Sequence, residues 1–343
     1  MDVLEWMYKR DIPQDKQVTY ARYTVAWRPE KLEKNRVRIT AGGDRLDYLG
    51  DVATHTASLE TFKLLLNSVI STKGGRMCTG DISNMYLYSS LDSFEYVRFK
   101  AELVPPAIIQ QYELQDKIHK GYIYAKVKKA WYGLKQSGRI AHDDLVQHLA
   151  KHRYHKLPLT ESLFKHETRD IAFALVVDDF AIKYTKKEDA EHLIKIMNTK
   201  YPFKVDWEAK QFIGIHLDWN YNQNMVTLSM DGYVEQALQE LQHPHPKKHH
   251  SAPSKMDEPQ YGEKVQYAKV DESNPLDETS VKFIQKATGK FLYYARAVDN
   301  TMLHALNEIA SAKYTEETMV AMRYFLNYAA CNPDGKSCTE RVT

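Results

Sequence analysis

The chain has 343 residues, 43% of them hydrophobic, enough to bury a sizeable core and more than one lobe. Its 47 Lys and Arg against 45 Asp and Glu neither demand nor forbid a polyanionic partner, because a basic groove can coexist with an acidic site. Three scattered cysteines, Cys78, Cys331 and Cys338, argue against a disulfide framework and fit a reducing, intracellular setting. No apolar run approaches the roughly 20 residues of a membrane span, and the opening "MDVLEWMYKRDIPQDK" lacks the order of a secretory signal.

In chain order, the first stretch to about Gly50 is charged and strand-like, with "NRVRITAGGDRLDYLG" its clearest piece. "SLETFKLLLNSVIS" predicts a helix, with Ser58 as N-cap and Leu59, Phe62, Leu65, Leu66 and Val69 at helical spacing. "GGRMCTGDISNMYLYSS" opens on a Gly-Gly turn, and "YVRFK" alternates like a hairpin partner. After an irregular connection around Pro105 and Pro106, "YIYAKVKKAWYGLKQSG" reads as strand and turn. "RIAHDDLVQHLAKHRYH" then reads as a helix with Ile140, Leu145 and Leu149 on one side. "FALVVDDFAIKY" follows as strand, and "KKEDAEHLIKIMNTKY" as a helix with Leu193, Ile194 and Met197 inward. "KQFIGIHLDWNYNQNMVTLSM" predicts a hairpin turning at "NYNQN", and "GYVEQALQELQ" a short helix. From His243 to about Glu278 the composition shifts to His, Pro, Lys, Asp and Ser, which is linker chemistry. Two helical patterns come next, "SVKFIQKATGKFLYYARAV" and "EETMVAMRYFLNYAA", and the final "NPDGKSCTERVT" shows no packing pattern.

Asp178 and Asp179 sit between the apolar runs Phe173–Val177 and Phe180–Ile182 of a strand-forming segment. At the tip of a tight hairpin both carboxylates can leave the core on one edge without being desolvated. Two such charges about 4 Å apart repel by roughly 4 kcal/mol at an effective dielectric of 20. A divalent hard cation is the usual counterweight, and a solvated Asp-Asp turn is the plain alternative. Asp81, in "MCTGDISNMYL", ends a second short apolar strand. Three carboxylates from two strand ends can hold two Mg²⁺ ions, the clamp used for in-line phosphoryl displacement.

Asp81 with Tyr86, "YGLKQSGR" at Tyr132–Arg139, "LVVDDF" at Leu175–Phe180 and "FIGIHLDW" at Phe212–Trp219 follow one another as in copia-type (Ty1/copia-like) retrotransposon reverse transcriptases, which the chain resembles. "GKFLYYARAVDNTMLHALNEIA" and "FLNYAACNPDG" also look like the segment that follows the polymerase core in those polyproteins. The resemblance implies an α+β right-hand polymerase: fingers, a palm with an antiparallel sheet backed by helices, and a helical thumb or connection. Residues 1–242 would form fingers and palm, 243–278 a linker, and 279–343 the thumb or connection, truncated before any RNase H domain. The implied activity is that of an RNA-directed DNA polymerase, a nucleotidyltransferase using two Mg²⁺ ions for which Mn²⁺ can substitute. Implied partners are an RNA/DNA primer-template, dNTPs and the integrase and RNase H domains of the full polyprotein, with no membrane. The implied setting is intracellular, in a cytoplasmic virus-like particle and in the nucleus.

By the same resemblance Asp81, Asp178 and Asp179 are the catalytic metal ligands. Tyr86 is the steric gate under the incoming sugar, and Gln136 contacts nucleotide or template. Arg38 and Arg36 reach the triphosphate, Lys204 protonates departing pyrophosphate, and Phe212 and Gly214 lie near the primer terminus. Several positions depart from the family pattern: Val176 where Tyr is common, Met85 in place of a small residue, Ser137-Gly138 for Ala-Pro, and Gly42-Gly43 where a basic residue is frequent. A second reading is a degenerate or host-retained copy that binds nucleic acid without polymerising. A third, a metal-dependent nuclease on another fold, explains the carboxylates but not "YGLKQSGR". The cluster of His243, His245, His249 and His250 reads as solvated linker ahead of a zinc site, and most of the 23 tyrosines as core or groove wall.

Overall fold

Strand periodicity over residues 4–206 is satisfied by two sheets. The computed structural model describes residues 2–27, 33–255, 261–262 and 271–341. They divide into two units, one of Met1–Thr61 with Cys78–Trp207, the other of Phe62–Met77 with Glu208–Thr343. The mixture of helices and sheets meets the α+β expectation.

In the first unit, β1 (Leu4–Met7), β2 (Val18–Trp27), β3 (Asn35–Ala41), β5 (Ser90–Lys100) and β6 (Tyr122–Lys129) form a sheet of order β1-β6-β5-β2-β3. Val97, Phe99, Ile123, Ala125 and Val127 alternate onto one face and bury there with Trp131 and Leu134. The short helix α2 (Pro106–Gln111) starts on a proline, which suits the first helical turn.

The second sheet contains β4 (Arg76–Ile82), β7 (Tyr154–Lys156), β8 (Leu163–His166), β9 (Ile171–Val176), β10 (Asp179–Tyr184) and β11 (Phe203–Asp206), in the order β11-β4-β10-β9-β8-β7. Helices α3 (Ser137–Lys151) and α4 (Lys187–Asn198) cover it, burying Ala141, Leu145, Leu149, Leu193 and Met197 against Phe164, Phe173, Phe180 and Ile182. Phe173 stands at the centre, 5.2 Å from both the Phe164 and the Phe180 ring. Aromatic pairs of this kind are worth about 0.5–1.5 kcal/mol each beyond the area they bury.

Helix α1 (Leu59–Ser71) begins as its sequence predicts, the Thr61 amide donating to Ser58 Oγ at 3.1 Å. The second unit holds β12 (Gln211–Phe212), β13 (Ile215–Asn220), β14 (Met225–Ser229) and β15 (Lys336–Glu340), paired in that order, and a set of helices. Besides the Phe62–Ser71 part of α1, these are α5 (Tyr233–Glu240), α6 (Glu278–Ala297), α7 (Leu303–Ser311) and α8 (Glu316–Cys331), with Phe291 and Phe325 edge to face between α6 and α8. The tail expected to lack a packing pattern forms β15 instead, from Met225 opposite Glu340 to Ser229 opposite Lys336. Backbone pairing to β14 carries it, with only Ser337 and Thr339 half-buried, so apolar periodicity could not announce it. Within the expected linker, residues 256–260 and 263–270 lie outside the described residues. Its first residues rest on α8: His243 Nε2 is 2.9 Å from Asn327 Oδ1, and the His250 ring meets Tyr324. Among the described residues no helix is long and apolar enough to cross a membrane.

Candidate active site

The hairpin expected around the paired carboxylates is present, with Val176 opposite Asp179 and a two-residue turn of Val177 and Asp178. Phe173, Leu175, Phe180 and Ile182 are buried on the strands, while Val177 is exposed and Asp178 and Asp179 are half-buried. Val177 has φ 58°, left-handed backbone that is disfavoured by roughly 1–2 kcal/mol for a side chain with a Cβ. The buried strands on either side hold it there, and strain of this kind concentrates where a turn must aim a functional group. Asp81 is the penultimate residue of β4, next to that turn, and the Ile82 amide donates to the Asp178 carbonyl oxygen at 3.0 Å. Lys204 stands directly opposite Asp81 on β11 and is exposed.

The three carboxylates feel one another. Burial, then the charges of Asp178 and Asp81, push the Asp179 carboxyl up to about 6. Burial and Asp81 also raise Asp178, against its own amide and Arg38. For Asp179 the sign is clear: the folded state prefers the proton, so its contribution to stability is most favourable below about pH 3.8 and is lost as pH rises through about 6. Asp179→Asn is therefore expected to raise the melting temperature at pH 7–8 without divalent ions, the gain shrinking as pH falls toward 4. A gain that is flat across a pH-resolved melting series would remove the repulsion from the account.

An aromatic and cationic wall adjoins the carboxylates. The Arg38 guanidinium lies over the Tyr132 ring at 4.9 Å, and the Tyr132 and Tyr86 rings are 4.7 Å apart. Burial and then Asp178 raise both phenols, with Arg38 opposing and Arg36 also acting on Tyr132. Arg36, Arg38, Tyr86, Asp81, Asp178 and Asp179 thus belong to one electrostatic group. Tyr132 is its unforeseen member. It opens the "YGLKQSGR" motif, and an aromatic held in front of a glycine was the available signal.

Gly133 explains that signal. Its φ is +95°, and a Cβ there would lie 2.1 Å from the Ala41 carbonyl oxygen. The Ala41 amide donates to the Tyr132 carbonyl at 2.7 Å, fastening the end of β3 to the motif. Ser137, where the family pattern has Ala, closes the loop by donating to the Trp131 carbonyl at 2.7 Å and accepting the Trp131 amide at 2.8 Å. Gly42 leaves room for Tyr20, whose ring would be 2.4 Å from a Cβ, and Met85 is buried in the core under the second sheet.

Gln136 is not part of this group in the structure. It is buried, and its Nε2 donates to Glu95 Oε1 at 2.8 Å. Phe212 and Gly214 belong to the second unit, where Phe212 packs on Phe62. The intervening Ile213 and Gly214 have φ 44° and 82°, a tight turn between β12 and β13, with Tyr293 Oη donating to the Ile213 carbonyl at 2.6 Å.

The carboxylates form an all-oxygen donor set, the chemistry of a hard divalent cation, and their mutual repulsion is what such an ion relieves. Among the described residues no three acidic, histidine or cysteine side chains are drawn into one formed cage. The fit is one of donor chemistry. Residues 4–248 match the family model described as reverse transcriptase (RNA-dependent DNA polymerase), and the chain belongs to that family, as its copia-type motifs led one to expect. Among solved structures, it is similar to a foamy viral protease-reverse transcriptase in complex with double-stranded DNA. The identity is 12% over 97% of this chain and 46% of that one, with a TM-score of 0.42. The same viral protein in complex with an RNA/DNA hybrid matches at 13% identity over 97% of this chain and 35% of that one, with a TM-score of 0.41. The chain spans less than half the length of these solved chains.

Proposed function

We propose that the chain extends a DNA primer on an RNA or DNA template by nucleotidyl transfer. The observation that carries this reading is the electrostatic group that joins Asp81, Asp178 and Asp179 to Arg38, Tyr132 and Tyr86, in a member of the reverse transcriptase family. Mg²⁺ held by Asp81 and Asp178, with Asp179 in support, would supply Lewis acidity at the primer 3′-hydroxyl and at the leaving pyrophosphate. The protein's own share is positioning and charge. Arg38, with Arg36 behind it, would meet the triphosphate oxygens. Tyr132, stacked under Arg38, would keep that guanidinium pointed, and Lys204, across from Asp81, would give a proton to departing pyrophosphate.

Primer extension on poly(rA)-type and heteropolymeric templates with Mg²⁺ or Mn²⁺ tests the reading. A ladder of products supports it. Salt-sensitive binding of primer-template without extension would favour the degenerate copy instead, and cleavage of the template strand the nuclease.

Tyr86 gives a sharper test. A ring packed against C2′ excludes a hydroxyl by volume. Tyr86→Ala is expected to raise ribonucleotide use relative to deoxynucleotide by at least about tenfold, roughly 1.4 kcal/mol of lost discrimination. If both substrates fall together and the melting temperature drops, Tyr86 is only a palm aromatic. Matched single-nucleotide extensions beside a melting curve separate the two.

A further inference from the structure

At the end of the β9–β10 hairpin remote from Asp178 lies a cavity of about 630 Å³. The length of β9 places it roughly 20 Å from the carboxylates, at about 3.3 Å per residue. Its walls come from three places: Lys151 and Arg153 at and just past the end of α3, His166 at the end of β8 with Arg169 in the turn that follows, and Lys186 just before α4 with His192 in the middle of that helix. Its volume falls within the range of small-molecule sites.

His166 is the built element. It is only 5% exposed, and its Nδ1 accepts the amides of Thr168 and Arg169, both at 3.1 Å. Two N–H donors at Nδ1 fix the tautomer, so the proton sits on Nε2. That N–H has no partner among the described residues, on a ring that lines the cavity. Burial, then Arg169 and Arg153, hold this imidazole below its ordinary range, with Glu167 and Asp189 opposing, so the ring is neutral and the positive charge comes from the arginines and lysines. The acidic groups nearby are already engaged. Asp189, on the cavity wall, takes Arg169 Nη1 at 2.7 Å, and Arg153 pairs with Glu167; Asp170, also on the wall, accepts Thr185 Oγ1 at 2.9 Å and faces the charge of Lys183. Lys151 and Lys186 are exposed and line the same cavity. Donors therefore approach from three walls, and a tetrahedral dianion with three free oxygens meets all of them where a carboxylate meets two.

We propose that this cavity binds a phosphomonoester dianion, gripped by His166 Nε2–H, Arg169, Lys151 and Lys186. The site is separate from the polymerase reading and does not depend on it.

The test follows the histidine side-chain resonances of the full chain by NMR during titration with inorganic phosphate, with adenosine 5′-monophosphate, and with adenosine as the uncharged control. Both phosphates are expected to shift His166 and His192, and adenosine neither. Lys151→Ala with Lys186→Ala should weaken that response at least tenfold with an unchanged melting temperature, and Asp178→Asn should leave it intact. His166→Gln, which keeps an acceptor for the two amides, should lose the phosphate-induced shift of His192. Phosphate that leaves His166 unmoved, or an undiminished response in the double lysine variant, would overturn the proposal. So would a response only to an oligonucleotide with internal phosphodiesters, which would make the cavity a backbone contact.

Discussion

Asp178→Asn is expected to abolish primer extension, by at least about a thousandfold, while leaving the melting temperature unchanged or higher. The two halves of that result have one cause. Asp178 sits half-buried beside Asp81 and Asp179, and the fold raises its carboxyl, so the folded state resists its charge. Replacing the carboxylate by an isosteric amide removes that resistance. It also removes an anionic oxygen from the donor set, and at about 1.36 kcal/mol per decade a thousandfold loss is about 4 kcal/mol of transition-state stabilisation, ordinary for one metal-anchoring charge. Extension within tenfold of the parent would strip Asp178 of its role. A large fall in melting temperature would recast the hairpin tip as purely structural.

Gly133→Ala should act in the opposite sense, on stability first. The positive φ alone disfavours a Cβ by roughly 1–2 kcal/mol, and here the new carbon would also stand 2.1 Å from the Ala41 carbonyl oxygen, which is backbone and cannot swing aside. Relief requires parting the end of β3 from the Tyr132 loop, so a loss of at least about 3 kcal/mol and a melting temperature several degrees lower are expected. Because β3 carries Arg38 and the loop carries Tyr132, the surviving folded protein should show a raised KM for dNTP with a smaller change in kcat. A variant that melts with the parent would mean that the close approach can relax.

What the sequence disclosed and what it withheld divide along the range of the interaction. The hairpin at Val177–Asp178, the Ser58 cap and the inward Leu145, Leu149, Leu193 and Met197 of α3 and α4 rest on period and on near neighbours and are legible, whereas Ile140, expected on the same side as Leu145 and Leu149, packs against the core of the first sheet instead. So was the company of Asp81, Tyr86 and Arg38, because the resemblance carried their order. Gln136 was read by motif alone, and nothing local indicated that Glu95, from another strand, would hold its amide. Beyond its place before a glycine, nothing in the sequence singles out Tyr132, because its importance lies in what it touches, Arg38 on one side and Tyr86 on the other. The departures at Ser137 and Gly42 looked like erosion of the motif. In the folded chain each fits its own surroundings: a hydroxyl bridging the loop in one case, room for the Tyr20 ring in the other. The strand β15 leaves no sequence signal because its pairing is written in backbone, which every sequence has.

The position of β4 bears on how the molecule is made. This strand lies between β10 and β11, both of which leave the ribosome long after it. At ~5–20 residues per second, the roughly one hundred residues between β4 and β10 take on the order of 5–20 s to synthesise. Through that interval Met77, Cys78 and Ile82 have neither edge paired, and the nascent chain carries an apolar ribbon in search of a partner. Asp81 rides on it, a charge near the end of the sticky segment, placed where a gatekeeper against premature pairing would stand. The same carboxylate would then have two careers, keeping strands apart during synthesis and drawing a cation once they have met.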